Sequence, residues 1–391
     1  MIEAVPAAPA ARAPEVRHIP ALPTLWPSLL SPLQPERAPG FPFTARRLVP
    51  FYFARNAVFH AVRLLGLAGR EVLVPAYHHG VEIAALVAAG AVPRFVRVDA
   101  RMRLDLDHLA AAAGPRTGAI YVIHYAGMPQ PMDEVRAVAR RIGVPVVEDC
   151  ALALYSSEGG RPLGSTGEVA VFCFYKTVPV PNGGALVVND PGVRTVLPRA
   201  VAPPLPSTLS HAVGSLLSNL AYRAGEPGRQ VRAAARRAAQ LVREASGLRP
   251  VSTGTSRFDP EAVHLGMSAL SRRILSHVDP EAVVAARRRN YFLLLGSLRA
   301  VAEPVFPELP AGACPLFYPL VCDDKAAVQA RLAAAGIETV DFWRTGHPLS
   351  TAADFPDVAR LREKVLELPI HQDLGPGEMA HVARAVQEAL R

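Results

Sequence analysis

Two side chains stand apart by type and position, Lys176 and Asp149. Lys176 is one of only three lysines, with Lys325 and Lys364; the chain has 42 basic residues, so the other 39 (42 less 3) are arginine. It follows the apolar run Val169-Ala-Val-Phe-Cys-Phe-Tyr175, which reads as a buried strand ending at the lysine. The loop beyond closes on Asn182-Gly183-Gly184. Apolar surroundings penalise an ammonium, so a lysine placed there gains access to its free, nucleophilic amine. Asp149 follows Val144-Pro-Val-Val-Glu148 and is expected just past the C-terminal end of a second buried strand. Ligands of open α/β sheets collect along that edge. A Schiff-base lysine and a carboxylate on a ring nitrogen are the pair that pyridoxal phosphate requires. Each residue also has an ordinary reading: the acid as a turn or N-cap residue, the lysine as a snorkelling surface cation.

Other chemistry is disfavoured. The chain has no GxGxxG, no GxxxxGK[ST], no HExxH and no GxSxG, which argues against nicotinamide oxidoreductases, P-loop NTPases, zincins and α/β-hydrolases. Cys150, Cys173, Cys314 and Cys322 form no CxxC pair and no metal-ligand spacing. Buried thiols in a reducing cytoplasm, and no metal, are the expectation. The formal charge of +8 invites a nucleic-acid reading. The skew towards arginine beside abundant alanine instead resembles coding bias, and no nucleic-acid partner is expected. No uncharged apolar run reaches the ~18 residues of a membrane span. The first residues lack a basic start and apolar core, so no secretory signal is expected.

The elements that must position the pair follow from periodicity. Residues 1–50 are rich in proline and read as an extended arm. Glu71–Val74, Pro93–Val98, Gly118–His124, Val144–Glu148, Glu168–Phe174 and Ala185–Asn189 have the composition of buried strands. Val81–Gly90, Asp105–Ala113 and Met132–Gly143 have helical spacing. Strands alternating with helices predict an α/β fold with a mainly parallel sheet covered by helices, over about residues 51–205. A Pro-rich break at Ala202–Ser207 precedes two amphipathic helices, His211–Arg223 and Arg229–Glu244, in an Arg-rich insertion over 206–250. Residues 251–391 read as a smaller C-terminal α/β domain, with helices at Asp279–Leu298, Lys325–Ala335 and Pro376–Leu390 and a strand at Phe317–Val321.

From about Phe51 onward the chain resembles the DegT/DnrJ/EryC1/StrS family, fold-type-I pyridoxal-phosphate enzymes best known as sugar aminotransferases. The resemblance rests on an ordered set of segments. They are Val72-Leu-Val-Pro-Ala-Tyr-His-His-Gly80, Ala91-Val-Pro-Arg-Phe-Val-Arg-Val-Asp99 and His124-Tyr-Ala-Gly-Met-Pro-Gln-Pro-Met-Asp133. Val147-Glu-Asp-Cys-Ala151, Gly160-Arg-Pro-Leu-Gly-Ser-Thr-Gly-Glu168, Phe172–Asp190 and Leu368-Pro-Ile-His-Gln-Asp-Leu374 complete it. The resemblance implies Lys176 as the Schiff-base lysine and acid–base, and Asp149 on the pyridinium nitrogen. It places a phosphate site where Phe53-Ala-Arg-Asn-Ala57 opens a helix, with Arg55 and Asn56 as candidate ligands. It points to His79 as the ring-stacking residue, with His78 close behind, and aligns Cys173 with a phosphate-binding serine. It also implies a cytoplasmic homodimer using an amino-acid donor, glutamate in the first instance, and a nucleotide-linked keto-sugar acceptor.

The departures bear on the reaction. Leu152 stands where family members usually carry Gln or His, and His264-Leu-Gly266-Met267 replaces an Asn-x-Arg-Met element. They keep open a non-sugar substrate, a reaction other than transamination, or a non-catalytic descendant docking on a membrane or partner. In the insertion, Arg229, Arg232, Arg236 and Arg243 fall on one helical face. That face suits an anionic substrate tail or bilayer, or is simply solvated.

Overall fold

The structure, a computed structural model, describes residues 18–193, 196, 198–246, 251, 257–341 and 343–391. The first 17 residues of the expected arm and residues 247–250 of the expected insertion lie outside the described residues, as does the side chain of Arg243.

Seven strands form the central sheet. In chain order the first half of the molecule runs β1 (Leu48–Phe51), α1 (Ala54–Leu64), β2 (Glu71–Pro75), α2 (Val81–Ala88), β3 (Val92–Val96), α3 (Leu106–Ala112), β4 (Thr117–Ile123), α4 (Met132–Ile142) and β5 (Val146–Cys150). A two-stranded hairpin, β6 (Ser157–Glu158) and β7 (Arg161–Pro162), then precedes β8 (Val169–Cys173) and β9 (Gly184–Val188). The sheet order is β1-β9-β8-β5-β4-β2-β3. Pairings from β3 through β2, β4 and β5 to β8 are parallel, and β9 and β1 add an antiparallel edge. Every residue of β2, β4, β5, β8 and β9 is buried, as parallel strands covered on both faces require. The expected α/β class with a mainly parallel sheet is what forms.

Beyond the sheet come α5 (Leu205–Ser246), α6 (Ala269–Leu275), α7 (Pro280–Leu298), β10 (Phe317–Val321), α8 (Lys325–Ala334), α9 (Pro356–Lys364), β11 (Val365–Pro369) and α10 (Pro376–Ala389). The strands β10 and β11 pair antiparallel. The helix α5 breaks at Gly225 (φ 60°, ψ −131°), two residues before Pro227. Proline lacks the N–H for a continuous helix, so the two expected helices meet there.

The described part of the arm is tied down: Ile19 exchanges backbone hydrogen bonds with Gly336 and Glu338, and Leu48–Phe51 pairs with β9. Two expectations change. Asp149 is not past a strand but is the penultimate residue of β5. Lys176 does not end a strand, because β8 stops at Cys173 and the chain turns through residues 174–177. Apolar composition continues past Cys173, so the run alone overstates the ladder.

Candidate functional site

Strand ends and helix starts converge on one cavity of about 360 Å³. Ile123, Asp149 and Cys173 line it from the C-terminal ends of β4, β5 and β8. Phe53, Ala54 and Arg55 enter from the start of α1, and His79, Val81 and Glu82 from the start of α2. Leu152, Tyr175, Lys176, Asp341 and Trp343 complete most of the wall. Lys176, Asp149, Arg55, His79 and Cys173 therefore share this cavity. Asn56 is not among its lining residues; its side-chain amide donates to the Ala262 carbonyl at 2.8 Å.

Asp149 is held from two sides. Its Oδ2 accepts from the Tyr121 hydroxyl at 2.6 Å and its Oδ1 from the Ala151 N–H at 2.8 Å. Burial, reinforced by the nearby Glu82 carboxylate, pushes Asp149 up to about 6, against the opposing pull of those hydrogen bonds and of Lys176. Below it, Glu148 is fully buried and accepts from Gly164, Thr166 and Gly167 N–H groups. His124 Nδ1 accepts from the Gln130 N–H, so its Nε2 carries the proton donated to Glu148 at 3.0 Å. This network ties β5 to the loop before β8.

The histidine pair separates by role. His78 is buried and stacks on Phe95, with centroids 5.3 Å apart. His79 faces the cavity and its backbone N–H donates to Glu82 Oε1 at 2.9 Å. Burial, with the charges of Lys176, Arg55 and Arg362, holds His79 down to about 4, leaving a neutral ring near pH 7. Its Nδ1 is buried without a partner among the described residues. Arg362 of α9 braces this turn by donating to the carbonyls of Ala76 at 3.2 Å and Trp343 at 2.8 Å.

The phosphate end also has a local logic. Phe53 precedes α1 and provides no side-chain cap, so the first-turn amides and helix dipole suit an anion. Arg55 lies 3.7 Å over the Phe53 ring. Gly184 permits the close approach: a Cβ there would stand 2.5 Å from the Ala54 nitrogen. Burial raises the Cys173 thiol, so it lines the cavity as a neutral group. The donor set therefore fits pyridoxal phosphate: the amine of Lys176, the buried acid Asp149, the His79 ring and the cationic helix start at Arg55.

Sequence reasoning missed Glu82, Tyr121, Tyr175, Asp341 and Trp343. A signal existed for Tyr121. Ile123 pairs with Asp149 across β4 and β5, and Tyr121 lies two residues earlier, which is the same face of the strand. Leu152 lines the cavity as an apolar group, and His264 packs 5.3 Å from His60.

Residues 54–198 match the DegT/DnrJ/EryC1/StrS aminotransferase family. A UDP-N-acetyl-3-dehydro-alpha-D-glucosamine 3-aminotransferase of Acidithiobacillus ferrooxidans is 28% identical over 348 residues, 86% of this chain and 82% of that protein. The aminotransferase TlmJ of Streptoalloteichus hindustanus superposes with a TM-score of 0.62 at 25% identity, covering 88% of this chain and 85% of that one. A sugar aminotransferase from Streptococcus pneumoniae, solved in its PLP form, shares the fold with a TM-score of 0.66 at 16% identity, over 96% and 100% of the two chains.

Proposed function

We propose that this chain, a member of the DegT/DnrJ/EryC1/StrS aminotransferase family through residues 54–198, transfers an amino group from an amino-acid donor to a nucleotide-linked keto-sugar. It is a pyridoxal-phosphate-dependent aminotransferase; glutamate as donor and the sugar acceptor are the finer parts of the reading. The observation that carries it is the shared cavity of Lys176, Asp149, Arg55 and His79.

In this reading Arg55 and the α1 amides would hold the cofactor's phosphate. The neutral His79 ring would pack against its ring system. The Asp149 carboxylate, oriented by Tyr121 and Ala151, would keep the ring nitrogen protonated. Bound there, pyridoxal phosphate supplies an electron sink for the carbanion at the donor's Cα. The Lys176 amine would hold the cofactor and, as the amine in this cavity, would carry the proton removed from Cα. Tyr121 stays fixed on Asp149, so the acid does not turn away when its charge is needed. A homodimer is part of the proposal.

The test is direct. Borohydride reduction of the purified, cofactor-loaded protein followed by peptide mass spectrometry should find the adduct on Lys176, and glutamate should bleach the yellow colour. An adduct on Lys325 or Lys364 would sink the site assignment. Colour that persists with glutamate and other amino donors would argue for a reaction other than transamination.

A further inference from the structure

Three of the arginines on the basic helix do not simply face solvent. Arg229, Arg232 and Arg236, at i, i+3 and i+7 of α5, line a cavity of about 430 Å³ with His18, Gly336 and Glu338. Arg232 donates from Nη1 to Glu338 Oε1 at 2.9 Å, and the same Nη1 lies 3.0 Å from His18 Nε2. Arg229 pairs with Glu226 at 3.3 Å on the exposed side. The cavity wall thus carries three guanidinium groups against one carboxylate, Glu338. Arg232 Nε is buried and has no acceptor among the described residues, so the hydrogen bonds its guanidinium already makes leave donor capacity unused.

A further cavity of about 290 Å³ adjoins both this one and the Lys176 cavity. It shares Leu22, Tyr175 and Val340 with the Lys176 cavity, and Arg232 and Glu338 with the arginine cavity. The rest of its lining comes from the arm segment Pro20–Thr24, from Pro179–Pro181 and from His211, Ser215 and Ser218 of α5. The three cavities thus adjoin one another in a row from Lys176 to the three guanidiniums.

We propose that the Arg229–Arg232–Arg236 cavity seats the phosphate groups of the amino acceptor while its carbonyl carbon reaches Lys176. Guanidinium forks suit phosphate oxygens through paired, charge-assisted hydrogen bonds. The assignment deepens the aminotransferase reading and rests on it. A free phosphate ion would use the same chemistry, so the test must separate a substrate tail from an independent anion.

The experiment uses the cofactor-loaded protein and the double variant Arg229→Gln/Arg236→Gln, which spares the Arg232–Glu338 pair. The probes are UDP-N-acetylglucosamine, UDP, inorganic phosphate and N-acetylglucosamine, each titrated by calorimetry and by the absorbance of the cofactor. The expected result has three parts. UDP-N-acetylglucosamine perturbs the absorbance and competes with UDP; the double variant weakens both by about tenfold or more; and N-acetylglucosamine is indifferent to the variant. Salt should weaken the wild type more than the variant, because exposed charges are screened. Equal affinity of both proteins for the UDP compounds would overturn the proposal. So would inorganic phosphate that binds the wild type, is lost in the variant and fails to compete with UDP-N-acetylglucosamine. Glutamate bleaching is read separately: if it fails in both proteins the aminotransferase reading falls, whereas bleaching with an indifferent double variant removes only the arginine assignment.

Discussion

At the scale of single residues, Asp149 concentrates the physics of the site. Its carboxyl is pushed from 3.8 up to about 6 by burial and then by Glu82. A raised acid stabilises the native state fully below the unfolded value and loses that contribution as pH rises through the folded one. Two units correspond to about 3 kcal/mol. Cofactor-free wild type should therefore lose about 2 kcal/mol relative to Asp149→Asn between pH 4 and pH 7, the rest of that span lying below pH 4, measured by denaturant unfolding at each pH. A bound pyridinium supplies the missing cation, so adding cofactor should close that gap. Parallel pH curves for the two apo-proteins would refute the account. With cofactor bound, the same variant should lose most of the glutamate half-reaction, because an amide does not hold a ring proton. Glu82→Gln removes a like charge and should move the acidic limb of that half-reaction to lower pH; an unmoved limb would mean that burial alone sets Asp149. Asp149 and Lys176 were visible in the sequence because each follows an apolar run. Glu82 was not, because its significance lies in a cavity shared with a residue far along the chain.

At the scale of elements, the cavity depends on how helix starts meet strand ends. The glycine at 184 begins β9 and lets the first residue of α1 approach the sheet; a Cβ would lie 2.5 Å from the Ala54 nitrogen and 2.8 Å from the Phe172 carbonyl oxygen. Both obstacles are backbone and neither can rotate away. Gly184→Ala should cost about 1–3 kcal/mol by overpacking and should weaken cofactor affinity as α1 is pushed outward. Thermal unfolding and cofactor titration measure the two effects, and a variant with unchanged affinity would remove α1 from the phosphate site. The parallel strands and most helices were legible from their runs and periods. The edge strand β1 was not, since Leu48-Val-Pro-Phe51 is short, contains proline and sits within a proline-rich stretch. The hairpin of β6 and β7, two residues per strand, offers no period to read. Asn56 shows the same limit for side chains: a polar residue at a helix start suggested a ligand, but its amide satisfies the buried Ala262 carbonyl instead.

At the scale of the whole molecule, one buried cation fastens the turn of Lys176 to the C-terminal elements. Arg287 of α7 is fully buried. Its Nη2 donates to the Thr177 carbonyl at 3.1 Å, its Nη1 to those of Leu316 at 2.8 Å and Pro315 at 3.3 Å, and its Nε to Gln372 Oε1 at 3.0 Å. Gln372 in turn donates to Thr177 at 3.0 Å. The carbonyl after Lys176 is thus held by two side chains more than 100 residues away in sequence, 110 for Arg287 and 195 for Gln372. No local pattern announces such a clamp, because Arg287 sits in the run Arg287-Arg-Arg289 and in sequence looks no different from its less buried neighbours. Replacing it with methionine keeps much of the apolar stem but abandons several buried acceptors, each worth about 1–3 kcal/mol when left unpaired. Arg287→Met should therefore destabilise the protein by about 3–5 kcal/mol in denaturant unfolding. The functional consequence separates a clamp from mere bulk. Gln372→Glu keeps an acceptor for Arg287 Nε but removes the donor to Thr177. It should slow the glutamate half-reaction several-fold while leaving the adduct on Lys176 and changing stability less than Arg287→Met. If Gln372→Glu leaves that rate untouched, the turn does not need to be held for Lys176 to move its proton, and Arg287 serves the packing of α7 alone.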